Sequence, residues 1–84
     1  MKSNESTVSP NVQRLLWLAV SEVSLLKKGE EFLVSDLFKG YEWKRILVRD
    51  RLLLGSLFLS ESKTNAAFSA HRKSRSNLQI YCKN

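Results

Sequence analysis

At 84 residues the chain holds one domain at most, and a domain of this size buries only about 60% of its unfolded surface, so a partner or a second copy would help it. An apolar fraction of 43% excludes wholesale disorder. A single cysteine, Cys82, excludes an internal disulfide and any multi-cysteine zinc site, while a net charge of +6 points to a polyanion as partner.

Residues 1–8 read as a flexible tail, and 9–84 as a single domain. Ser9 suits a helix N-cap and Pro10 the first helical position, where its missing N–H costs nothing. Val12, Leu15, Leu16, Ala19, Val20, Val23 and Leu26 recur at helical spacing and predict a helix closed by Lys27, Lys28 and Gly29. Trp17, Leu18 and Leu25 fall outside that stripe and are candidates for a self-interface; the plainer reading is a short helix packed on several sides.

"EEFLV" reads as a short strand, and "SDLF" as a turn of helix with Ser35 as N-cap. "YEWKRIL" follows Gly40 as another turn or two, with Trp43 and Ile46 inward. "VRDRLLLGSLFLSESK" is the next helix: Leu53, Leu54, Leu57 and Phe58 form its buried face, and Arg49, Leu52, Ser56 and Lys63 the opposite one. Gly55 costs about 1 kcal/mol relative to alanine in mid-helix, which suggests close approach of another backbone. Arg51 leans toward the buried side, where it pairs with Glu61 or Asp36 or caps a turn.

"AAFSAH" and "LQIYCK" are two strands joined by the loop "RKSRSN". Leu78, Ile80 and Cys82 are expected to face the core with Phe68 and Ala70. That sends Gln79, Tyr81 and Lys83 outward and leaves Arg72, Lys73 and Arg75 on the hairpin tip. The order helix, strand, helix, helix, hairpin predicts an α+β fold. It is the layout of a winged helix-turn-helix: three helices and a small antiparallel sheet ending in a β-hairpin wing.

Charge follows position. Residues 1–38 carry four bases and five acids, whereas residues 39–84 carry ten bases and three acids. The lone histidine, His71, sits beside Arg72 and Lys73 with no acid near it in sequence, the three glycines are scattered, and no cofactor, metal or catalytic constellation is expected. The candidate nucleic-acid contacts are Lys44, Arg45, Arg49, Ser56 and Lys63 on the helical side. His71, Arg72, Lys73, Arg75, Asn77, Tyr81 and Lys83 are those on the wing, Tyr81 as a stacking surface for an unpaired base. The plain alternative for any one of these is a solvated surface residue. The polar N-terminal stretch and an apolar run no longer than "LLWLAV" predict a cytoplasmic protein with no membrane partner.

The residues Phe32, Asp36–Phe38, Gly40, Trp43, Arg51, Leu54–Gly55, Phe58 and Asn77 to Tyr81 resemble a pattern found in small proteins of Gram-positive phages and chromosomal cassettes. That family was long described only as a domain of unknown function. The resemblance covers about residues 30–84. It implies a winged helix, DNA binding with single strands favoured, and a place near replication genes of mobile elements, with a replication protein as a further partner. Leu47 and Val48 stand where many members carry a proline, and the first helix lies outside the resemblance. Two other readings stand beside this one: a dimeric regulator of duplex DNA, and a protein-interaction or inhibitor module.

Overall fold

The structure, a computed structural model, describes residues 10–84; the expected tail over 1–8 and the Ser9 cap lie outside them. Helix α1 (Pro10–Val23) is followed by strand β1 (Glu31–Phe32), a 3-10 turn (Val34–Leu37), α2 (Gly40–Arg45), α3 (Val48–Ser62), β2 (Phe68–Lys73) and β3 (Gln79–Lys83). The three strands form one antiparallel sheet in the order β1-β3-β2. Three helices with this sheet make an α+β fold compatible with a winged helix.

Helix α1, described from Pro10 onward, stops at Val23, short of the two lysines. The amides of Ser24, Leu25 and Leu26 donate to carbonyls three residues back, at 3.0–3.2 Å, and so tighten the last turn. The Ser24 hydroxyl also donates to the Ser21 carbonyl at 2.7 Å. Lys27 instead opens a turn in which its backbone N–H donates to the Glu30 carboxylate at 2.6 Å. Gly29 is needed there because its φ is +88°, a region that favours glycine. The cation at the end of α1 comes from elsewhere: Lys83 Nζ donates to the Val23 carbonyl at 3.3 Å.

The next two helical starts share one device. The Leu33 backbone N–H donates to the Asp36 carboxylate at 2.8 Å, and the Lys39 N–H to that of Glu42 at 3.0 Å. Each carboxylate satisfies an otherwise unpaired amide and opposes the positive end of the backbone dipoles. The expected Ser35 cap is therefore replaced by Leu33 at the cap position, because an acid three residues on supplies the acceptor. Helix α3 ends where Asn65 Nδ2 donates to Glu61 Oε2 at 3.2 Å and Asn65 Oδ1 accepts from the Ala67 N–H at 2.9 Å, a turn that aims the chain into β2.

The core forms between α1, α3 and the sheet. Val12, Ala19 and Val23 of α1 and Leu54 and Phe58 of α3 are buried, as the helical spacing predicts. Phe58 stacks on Phe68 with ring centroids 4.6 Å apart and meets Tyr81 edge-on at 4.8 Å. Phe32 completes the cluster. Burying each large side chain contributes about 1.5–3 kcal/mol, and each well-placed ring pair about 0.5–1.5 kcal/mol more. Gly55 has open space where a Cβ would stand, so the expected close backbone approach is absent.

The sheet corrects the expected facing of β3. Phe32 and Ala70 both stand opposite Tyr81, and Phe68 opposite Lys83, so Tyr81 and Lys83 share the core side with Phe32 and Phe68. Tyr81 is only 1% exposed, whereas Leu78 is 51% exposed. The largest ring on the strand takes the core side because three phenylalanines already line it. Burial pushes the Tyr81 hydroxyl up to about 12 from the usual value near 10. The folded chain then holds a proton that the unfolded chain has lost between those two values. The contribution of this group is constant below about pH 10, and stability then falls as pH rises toward 12. Urea titrations across that range should show this slope, and Tyr81→Phe should remove it.

Candidate nucleic-acid interface

Two groups of cations leave the core, one on the helix-turn-helix and one on the hairpin. In α2, Trp43 turns inward and packs against Phe38 with centroids 5.8 Å apart. Tyr41, two residues earlier and so about 200° around the helix, points outward and is 52% exposed. Lys44 and Arg45 are exposed in the last turn of α2, and Arg49 in the first turn of α3. Arg51 does not join them. Its Nε donates to the Ile46 carbonyl at 3.0 Å and its Nη2 to the Lys44 carbonyl at 3.2 Å. Its guanidinium also lies over the Trp43 ring, 5.4 Å from the centroid. Arg51 therefore caps α2 and sets the angle of the turn, the capping role among those the sequence allowed.

The outward side of α3 carries Arg49, Leu52, Ser56, Leu59 and Lys63, all exposed. Arg49 reaches the neighbouring Asp50 only at 3.9 Å with its side chain 82% exposed, and such a pair is worth little. Lys63 lies at the C-terminal cap of α3, where a cation opposes the free carbonyls.

The hairpin differs from the expected one. β2 continues through Arg72 and Lys73, so only residues 74–78 form the tip. Ser74 closes it: its N–H donates to the Leu78 carbonyl at 2.8 Å and its hydroxyl accepts from the Leu78 N–H at 3.1 Å. Asn77 takes the left-handed conformation, with φ of 65°, that the tight return requires. Asn77 is thus a turn former at an exposed tip, beside Arg75 and Ser76.

A bulge lies between Ala70 and Lys73, where three steps on β2 match two on β3. Gln79 fills it, its side-chain amide donating to the carbonyls of His71 at 2.8 Å and Ile80 at 3.0 Å. Such an extra residue bends and twists the ribbon and re-aims its side chains. Here it brings Arg72 across the central strand to Glu31 on β1. Arg72 Nη1 and Nη2 donate to the two Glu31 oxygens at 2.7 and 3.1 Å, a bidentate geometry. The bond to Arg72 is the main cause that holds the Glu31 carboxyl below its usual range. His71 Nδ1 lies 3.9 Å from the same carboxylate.

Of the wing residues named from sequence, Lys73, Arg75 and Asn77 therefore stand exposed at or beside the tip, while His71 and Arg72 face Glu31. Tyr81 and Lys83 turn to the core side and leave the candidate interface. Among the described residues, Lys39, Lys44, Arg45, Lys63, Lys73 and Arg75 have no carboxylate within ion-pair distance, and the same holds for the exposed Arg14, Lys27 and Lys28 on and after α1. No group of three or more His, Cys, Asp or Glu side chains among them could hold a metal, and no helix among them is long and apolar enough to cross a membrane. Sequence reasoning passed over Tyr41. Its signal was a ring set two residues from an inward tryptophan and four from an arginine.

Trp17 and Leu18 on α1 are 53% and 49% exposed. Leu25, at 73%, belongs to the turn after α1 rather than to the helix.

A family model described as a domain of unknown function (DUF1413) matches residues 18–83, which reaches further toward the N-terminus than the resemblance and takes in the second half of α1. No curated protein and no solved structure matches the chain.

Proposed function

The chain belongs to the DUF1413 family of domains of unknown function, and we propose from its own surface that it is a small, non-catalytic DNA-binding module. The observation that carries this reading is the set of exposed cations without carboxylate partners on the helix-turn-helix and the hairpin: Lys44, Arg45, Lys63, Lys73 and Arg75. Each cation seated on a phosphate releases condensed counterions, so affinity comes with a steep dependence on salt.

Leu52 and Leu59 on the outward side of α3 are poor readers of base edges. They favour backbone contact with little sequence preference, and single strands over duplex major groove. A role in the replication or maintenance of a phage or mobile element rests on the resemblance alone. Competition between one labelled single strand and its own duplex tests the assignment. The single strand is expected to bind at least about tenfold more tightly, a difference of about 1.4 kcal/mol. A duplex preference tied to a palindromic site would move the chain to the regulators of duplex DNA.

A second reading, an interaction module or homodimer through α1, is favoured by the exposure of Trp17 and Leu18, since adjacent large apolar side chains in water mark contact surfaces. It is compatible with the first, because α1 packs on α3 through its other side.

A further inference from the structure

We infer that Tyr41 is the stacking seat for an unpaired nucleobase, with Arg45 and Lys39 set to hold the flanking phosphates. The inference rests on the DNA reading above and assigns it a contact. The Arg45 guanidinium carbon lies 5.0 Å from the centroid of the Tyr41 ring and Lys39 Nζ lies 6.0 Å from it, yet Tyr41 remains 52% exposed. The geometry follows from helical spacing: positions 41 and 45 share a face, while Trp43 faces the core.

A tyrosine with an arginine four residues on is also a common stabilising pair of helix surfaces. Three observations set this one apart. α2 has only six residues and is already anchored by Trp43 and by the Arg51 cap, so it does not depend on a surface pair. Lys39, Lys44 and Arg45 have no carboxylate within ion-pair distance, and the nearby Glu42 accepts a hydrogen bond from the Lys39 backbone N–H instead. And an exposed ring beside several cations combines the two elements that single-strand sites use: a π-face for any base and a positive track for the backbone. Arg45 over the ring also restricts its rotamers before binding, which lowers the ordering cost.

The test compares two probes, a short oligo(dT) and an abasic oligonucleotide of equal length and phosphate count, on the intact chain at one salt concentration. The wild type is expected to bind oligo(dT) about fivefold or more tightly than the abasic probe, the lower end of what one stacked base is worth. Tyr41→Phe should keep that ratio. Tyr41→Leu should bring it to about one. If Tyr41→Leu keeps the ratio, or weakens both probes equally, the stacking role is overturned and DNA binding stands. If the wild type binds neither probe, both readings fall together.

Discussion

Replacing Lys44, Arg45, Arg49, Lys73 and Arg75 together by glutamine is expected to weaken binding of a short single strand by about a thousandfold at ~0.1 M salt. The magnitude follows from the slope of about 0.7 that each phosphate contact adds to the dependence of log affinity on log salt for single strands. These five side chains are exposed and none is buried against a carboxylate, so the change alters the surface and leaves the core intact. The matched control is the double variant Glu31→Gln, Arg72→Gln. It removes a facing pair whose atoms lie 2.7 Å apart and leaves the net charge unchanged, so affinity should stay within about twofold, as for an exposed pair already neutralised. A large loss from the control, with little from the fivefold variant, would assign binding to the sheet face instead.

Phe58→Ala is the substitution expected to cost the most stability. Phe58 has no solvent exposure and touches the rings of Phe32, Phe68 and Tyr81. Truncating such a residue costs about 3–5 kcal/mol through lost transfer energy and the cavity left behind. A domain of 84 residues has roughly 4–13 kcal/mol in total. The variant should therefore melt about 15 °C or more below the wild type, or fail to fold at all, by circular dichroism. A fall of only a few degrees would mean that the aromatic cluster is not the centre of the fold.

The three helices and the sheet were legible because each rests on a local signal. Leu54 and Phe58 repeat at helical spacing and are buried, and the two-residue strand β1 pairs with the hairpin along β3. The facing of β3 was not legible. Alternation says that Tyr81 and Lys83 share a side but not which side, and Leu78, Ile80 and Cys82 are the more apolar set by count. The choice is made by Phe32, Phe58 and Phe68, which come from three other elements.

The wing was half legible for a similar reason. The bases of residues 72–75 are plain in sequence, but Arg72 meets Glu31 across 41 positions of chain, and only the bulge filled by Gln79 brings it there. A run of five bases without an acid over the last 23 residues therefore overstates the free charge of the hairpin. Arg72 is neutralised by β1, and Lys83 sits on the carbonyl end of α1. The helix-turn-helix was understated in turn, because Tyr41 gains meaning only from the rings and cations around it.

The most direct measurement of the central claim is a salt titration of the wild-type chain with one single strand of DNA. With five or so cations seated on phosphates, log affinity should fall against log salt with a slope of about −3 or steeper. A slope near zero, or no binding at low salt, would contradict a cationic surface built to hold a phosphodiester backbone.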